Sequence, residues 1–311
     1  MAINTVLHTR SKPMTEEIRQ LKQAKDAVIL AHNYQIPEVQ DIADFTGDSL
    51  ELARISTQVK ETTIVFCGVR FMAETAKVLS PEKRVLLPEI DAGCPLADMA
   101  DAEAAQKLRA EHPDAWVVSY VNTSVEVKAV TDVCCTSGNA TQVVSNVPTK
   151  KVIFLPDKNL CWFVKHRVPE KEIICWDGYC VVHRQFTEDD ALKAKALHPD
   201  AEMLVHPECE PKVQELADGV YSTSGILTRA RESESSKFII GTEEGILYRL
   251  NKENPEKVFY SLGPPRACYN MKKTTLQSVK DALEKGIYEI TIPSDIMRKA
   301  QVSIERMIQY I

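Results

Sequence analysis

The sequence predicts an α/β protein made of three copies of one parallel-sheet unit, related by pseudo-threefold symmetry, each sheet covered by helices in three layers. Three observations carry this. A stretch of the chain recurs three times without gaps. Apolar runs of four or five residues, as buried parallel strands require, alternate with one-sided helical stripes such as Leu52, Ile55 and Val59. The 311 residues exceed the ~100 to 150 of one typical core and suit several units.

The repeat appears as VILAHNYQIPEVQDIADFTGDS from Val28, WVVSYVNTSVEVKAVTDVCCTS from Trp116 and EMLVHPECEPKVQELADGVYST from Glu202. With His32, Tyr120 and His206 as origins, offset 7 is Val39, Val127 and Val213, and offset 10 is Ile42, Val130 and Leu216. Offset 12 is Asp44, Asp132 and Asp218, and offset 17 is a hydroxyl each time: Ser49, Ser137 and Thr223. Offset 32 opens a further apolar run at Ile64, Val152 and Phe238. The tetrapeptide His-Pro-Asp-Ala precedes the second and third copies at His112 and His198, where the first has the weaker match AKDAVIL.

Each copy therefore reads as helix, strand, short helix, strand, helix after the hydroxyl, strand, helix and strand. Such βα repetition gives small parallel sheets. The expected limits are residues 1–97, 98–184 and 185–272, followed by a helical extension over 273–311.

Composition narrows the function. With 44% hydrophobic and 26% charged residues, this is an ordinary packed chain. A net charge of -6 argues against bulk nucleic-acid binding, which needs clustered Lys and Arg. No apolar stretch approaches the ~18 residues of a membrane span, and the N-terminus has no signal-peptide h-region, so a cytoplasmic protein without membrane partners is expected. Nine cysteines, an odd number, are not expected to form a disulfide framework in that compartment. The absence of any C-x-x-C removes the zinc-ribbon, ferredoxin and thioredoxin signatures.

On the repeat register, Cys94, Cys180 and Cys268 lie 62, 60 and 62 residues after their origins. They occupy equivalent loops after the fourth strands, and the carboxyl-end loops of parallel strands are where such sheets bind ligands. Cys67, Cys134, Cys135, Cys161, Cys175 and Cys209 lack counterparts and read as buried small hydrophobes. Three thiolates could hold zinc together with His183, three residues after Cys180, although His183 has no equivalent in the other copies. A [4Fe-4S] cluster on three cysteines leaves one iron open as a Lewis acid, and its place would be where the three units meet.

The remaining offsets surround that place. Ser49, Ser137 and Thr223 precede helices, where a hydroxyl is most often an N-cap but where free N–H groups also attract anions. Asp44, Asp132 and Asp218 read as structural, closing the short helix or its turn. Offsets 0 and 2 give His32 with Tyr34, Tyr120 with Asn122, and His206 with Glu208, more polar chemistry than a core holds without purpose. Glu208, the one carboxylate of that set, is the natural general base or acid.

At these residues the chain resembles the quinolinate synthases. The likeness lies in AHNYQIPEVQDIADFTGDSLELA, the Gly-Cys-Pro of Gly93 to Pro95, SYVNTSVEVKA, CCTSGNA, GYCVVH, VHPEC, YSTSG and the Cys-x-x-Met of Cys268 to Met271, and covers essentially the whole chain. The resemblance implies three α/β sandwich domains with pseudo-threefold symmetry. It implies condensation of iminosuccinate (iminoaspartate) with dihydroxyacetone phosphate to quinolinate, phosphate and water in pyridine nucleotide biosynthesis, with coupling to the enzyme that supplies iminosuccinate. Cys94, Cys180 and Cys268 would hold a [4Fe-4S] cluster, while His32, Ser49, Tyr120, Asn122, Ser137, His206, Glu208 and Thr223 would contact substrate. Catalytic steps would fall to Glu208, Tyr34, His206 and Tyr120, with Tyr34 acting in proton transfer or as a gate. Where some members carry extra cysteines in C-x-x-C spacing near the third ligand, this chain has PPRACYNM, so no redox switch is expected there. An aconitase-like hydratase and a non-catalytic iron-sulfur scaffold or electron carrier are the alternatives.

Overall fold

The computed structural model describes residues 3–309, which divide into two compact units. The first comprises Met1–Gly93 with Tyr269–Ile292, the second Cys94–Cys268 with Pro293–Ile311.

The first unit contains α1 (Ile3–Ala24), β1 (Ala27–His32), α2 (Pro37–Ile42), β2 (Phe45–Gly47), α3 (Ser49–Gln58), β3 (Thr63–Cys67), α4 (Arg70–Leu79) and β4 (Arg84–Leu86). The second repeats the series as α5 (Ala102–Glu111), β5 (Ala115–Tyr120), α6 (Val125–Ala129), β6 (Val133–Cys135), α7 (Ala140–Asn146), β7 (Lys151–Leu155), α8 (Lys158–Arg167) and β8 (Glu172–Cys175). It then repeats it again as α9 (Glu188–Leu197), β9 (Glu202–Val205), α10 (Pro211–Leu216), β10 (Gly219–Val220), α11 (Thr223–Glu232), β11 (Lys237–Gly241), α12 (Ile246–Glu253) and β12 (Val258–Ser261). The strand and helix order is the expected one in all three copies. Two more helices follow: α13 (Leu276–Lys285) packs on α1 in the first unit, and α14 (Ser294–Gln309) packs on α6 and β6 in the second.

Each copy forms one four-stranded sheet, all pairs parallel, in the orders β2-β1-β3-β4, β6-β5-β7-β8 and β10-β9-β11-β12. The two-residue side-chain period divides each sheet's apolar residues between two faces. In the first sheet Ile29, Ala31, Val65 and Cys67 pack with Ile18 of α1 and Val39 of α2, and Val279 of α13 joins them. The alternating set Val28, Leu30, Ile64 and Phe66 is equally buried, on the side of α3 and α4. The second and third copies repeat the first face, with Val127 and Val213 in the place of Val39.

The offset-12 aspartates are more than helix closures. Asp44, Asp132 and Asp218 each accept the backbone N–H of a first-strand residue, Ile29, Val117 and Met203, at 2.8 Å in every copy. Each also pairs with a cation of the preceding helix: Lys22, Arg109 and Lys195 respectively. One carboxylate thereby fastens helix, first strand and second strand. A further repeated device is a lysine 51 residues beyond each origin. Lys83, Lys171 and Lys257 donate to Val59, Val147 and Ser233, the carbonyls that end α3, α7 and α11, at 2.6 to 2.7 Å. A cation there satisfies orphan carbonyls and complements the helix dipole.

Two cysteine expectations are corrected. Cys161 and Cys175 are joined in a disulfide, and Cys175 is exposed rather than buried. The bridge ties α8 to β8, elements the chain already packs together, so proximity is local and no disulfide framework results. Cys67, Cys134, Cys135 and Cys209 are buried free thiols as anticipated.

Candidate active site

The polar residues of the second unit converge at the carboxyl ends of its two sheets. Tyr120 ends β5, and His206 follows β9 directly, with Glu208 two residues on. Glu208 is only 3% exposed and sits at the centre of a network. Its carboxylate lies 2.7 Å from His183 Nδ1 and 3.6 Å from His206 Nδ1, accepts a hydrogen bond from Asn122 Nδ2 at 3.4 Å, and accepts another from the Tyr120 hydroxyl. Burial alone would raise the Glu208 pKa. The His183 and His206 imidazoles, with the bonds from His183 and Tyr120, outweigh it and hold the carboxyl down at about 2. Glu208 is therefore an anion at neutral pH.

The imidazoles are oriented by the backbone. His206 Nδ1 lies 3.3 Å from the Glu208 backbone nitrogen, and its Nε2 lies 3.2 Å from Ser137 Oγ. His32 repeats the loop geometry in the first unit, its Nδ1 accepting the Tyr34 N–H at 3.1 Å and its ring meeting the Tyr34 ring edge-on at 4.5 Å. His183, which the repeat register set aside, stacks on His206 at 4.6 Å and lies 2.8 Å from Thr242 Oγ1 through Nε2.

The three register-matched cysteines all belong to the second unit and are half-buried. Burial pushes the Cys94 thiol up to about 12, with the charges of Glu208 and Cys268 adding to the rise. Cys180 is raised well above its ordinary value by burial, then by Glu208 and further by Cys94. The Cys94 and Cys180 thiols therefore resist becoming thiolates unless a cation is among them, as a metal centre would provide. His183 Nδ1 is 3.2 Å from Cys180 Sγ, and the ligand atoms of Cys180, His183 and Glu208 lie within 4.8 Å of one another. Asn122 Oδ1 is buried beside this group without a hydrogen-bond partner. Sulfur donors, an adjoining carboxylate and an orphaned amide oxygen fit a metal group with a polar ligand beside it.

The repeated hydroxyls are not the caps. Asp48 caps α3 and Ser222 caps α11, accepting helix N–H groups, so Ser49 and Thr223 stand at the first helical position; Ser137 lies in the turn before Asn139, the N-cap residue of α7. The side chains that cap α3 and α11 thus stand one position upstream of Ser49 and Thr223. A Cβ on Gly138 would come within 3.3 Å of Ser222 Oγ, which brings the starts of α7 and α11 close together. Of the expected site residues, Tyr120, Asn122, Ser137, His206 and Glu208 form one connected group in the second unit. Thr223 lies in that unit at the head of α11, and His32, Tyr34 and Ser49 belong to the first.

Sequence reasoning left His183 only as a zinc-ligand alternative, for want of a repeat counterpart, and passed over two participants. Asp157 and Glu243, both fully buried, accept the backbone N–H groups of Cys180 and Cys268 at 3.1 and 2.9 Å.

Three parallel-sheet α/β repeats and a thiol, imidazole and carboxylate cluster at strand ends define an α/β enzyme with a metal-binding donor set. Comparison with known proteins makes the class particular. The family profile described as Quinolinate synthetase A protein matches residues 16–309. The chain is 55% identical over 296 residues to the quinolinate synthase of Thermodesulfovibrio yellowstonii, covering 95% of this chain and 98% of the relative. The quinolinate synthases of Caldicellulosiruptor bescii and Methanoregula boonei are each 54% identical, over 95% of this chain and 98% and 97% of their own lengths. The chain belongs to the quinolinate synthase family. No helix among the described residues is long and apolar enough to cross a membrane.

Proposed function

We propose that this enzyme condenses iminosuccinate with dihydroxyacetone phosphate to quinolinate, phosphate and water in the cytoplasmic synthesis of pyridine nucleotides, on a [4Fe-4S] cluster held by Cys94, Cys180 and Cys268. The observation that carries the reading is the mutual placement of those three thiols with Glu208, in a chain of this family. When bound, the cluster supplies an open iron as a Lewis acid for loss of water. The protein's own residues do the rest. Glu208, anionic at rest, takes a proton from the condensing substrates and passes it on, with Tyr120 and Asn122 orienting its oxygens. His206 presents its Nε2 proton toward the position of Ser137, where a substrate oxygen can replace the hydroxyl as acceptor. Ser49, Ser137 and Thr223, with the helix N–H groups beside them, receive the two carboxylates and the phosphate. His32 and Tyr34 contact substrate as the first copy's counterparts of His206 and Glu208, Tyr34 serving in proton transfer or as a gate.

A mononuclear metal on Cys180, His183 and Glu208 is the second reading, favoured by the closeness of those ligand atoms. Anaerobic purification followed by iron, sulfide and zinc analysis, then an assay for quinolinate from the two substrates, decides between them. About four irons and four sulfides per chain with quinolinate formed supports the cluster. One zinc per chain without sulfide overturns it.

A further inference from the structure

The loops that carry the three register-matched cysteines are fastened by a shared device. In every copy a backbone N–H 38 residues past the origin donates to the carbonyl two residues before the cysteine. The pairs are Arg70 to Ala92 at 2.8 Å, Lys158 to Gly178 at 2.9 Å and Glu244 to Arg266 at 2.9 Å. Close approach is obligatory in the second copy, where a Cβ on Gly178 would lie 2.4 Å from the Pro156 carbonyl oxygen. One residue earlier the copies diverge, with Val69 in the first, Asp157 in the second and Glu243 in the third. Both carboxylates are 0% exposed. Asp157 accepts the Cys180 N–H through Oδ2 at 3.1 Å and caps α8 through Oδ1 on the Leu160 N–H at 2.7 Å. Glu243 accepts the Cys268 N–H through Oε1 at 2.9 Å and the Gly245 N–H through Oε2 at 2.7 Å.

We infer that Asp157 and Glu243 are positioning residues that set the sulfurs of Cys180 and Cys268 for the metal group, while the Cys94 loop has Val69 in that place and no carboxylate on its peptide. Both carboxylates are fully buried, and in both copies one oxygen accepts the cysteine's own peptide N–H while the other accepts a backbone N–H at the start of the next helix. Val69 shows that the fold at this position does not itself require a carboxylate. Outer-shell groups that orient metal ligands commonly govern affinity by about 10- to 100-fold.

This rests on the cluster reading, and its test separates the two. Wild type, Asp157→Ala, Asp157→Asn, Glu243→Ala and Glu243→Gln are purified anaerobically with their iron. Release to a chelator is followed by loss of visible absorption, beside the melting temperature of each. The alanine variants should release iron faster by about 10- to 100-fold. The amide variants keep one acceptor oxygen for the cysteine N–H and lose the bond to the helix start, so their iron release should stay closer to wild type than that of the alanine variants while their melting temperature falls. Asp101→Ala is the control for capping, since Asp101 caps α5 on the Ala104 N–H and touches no cysteine; it should lower the melting temperature and leave iron release unchanged. Should Asp157→Ala fail to fold, Glu243→Ala and the shortened Glu243→Asp carry the test in the other loop. Iron release at the wild-type rate in the alanine variants overturns the positioning role. Wild type without iron and sulfide overturns the cluster reading instead.

Discussion

At the scale of single residues, Glu208 bears the most testable chemistry. A carboxylate held at about 2 by two imidazoles is a proton acceptor at neutral pH, and its amide isostere keeps the shape while losing that ability. Glu208→Gln should lower single-turnover quinolinate formation by at least ~10²-fold with iron content preserved. A variant within a few-fold of wild type would leave Glu208 with the lesser task of orienting His183 and His206. The same depressed pKa has a stability consequence of definite sign. A carboxyl held below its ordinary 4.5 stabilises the fold fully above that value and loses the contribution as pH falls toward about 2. In the iron-free proteins, the melting-temperature gap between wild type and Glu208→Gln should therefore narrow on going from about pH 5 to about pH 3. A gap that widens would show that the pair with the imidazoles is not what stabilises the anion.

At the scale of elements, the repeat made most of the architecture legible and hid its exceptions. Offset 7 and offset 12 are equal in all copies because each copy solves one problem: seating a short helix and pinning the first strand through Asp44, Asp132 or Asp218. A search for sameness finds such positions. It passes over Asp157, Glu243 and His183, which differ between copies, and the Cys161 to Cys175 bridge, which exists in one copy only. It also set Ser49 and Thr223 one position beyond the caps, because Asp48 and Ser222 beside them cap α3 and α11. That displacement sharpens their test. Ser49→Ala and Thr223→Ala leave the capping side chains in place, so the helices should persist while substrate affinity falls. Ser137→Ala, removing the partner of His206 Nε2, should behave likewise. A lost hydrogen bond to a charged group corresponds to ~1.5 to 3 kcal/mol, or about 10- to 150-fold in Kd. Direct binding of dihydroxyacetone phosphate and a dicarboxylate analogue to the three variants measures it, and unchanged affinity in all of them would return the hydroxyls to a structural part.

At the scale of the whole chain, the three cysteines stand far apart in sequence yet share one compact unit, which begins its main stretch at Cys94 and ends it at Cys268. Thiols raised by burial and by one another gain little from being near each other in the metal-free protein. Bound metal reverses that balance, because ligation needs the thiolate and joins loops of large sequence separation, and whatever binds only the folded state stabilises it. The wild-type protein should accordingly melt at a higher temperature with its iron than after chelation. Cys94→Ala, Cys180→Ala and Cys268→Ala should each lose the cluster, the activity and that difference. Cys134→Ala is the comparison, since Cys134 is a buried thiol whose hydrogen-bond partner is Ser303 of α14, and its removal leaves a small cavity and no missing ligand. It should melt lower in both forms while the gap between them stays. Iron and sulfide content, visible absorption and paired melting curves under strict anaerobiosis read all of this. A full cluster in any one of the three ligand variants would strike that cysteine from the set and bring His183 forward as the ligand in its place.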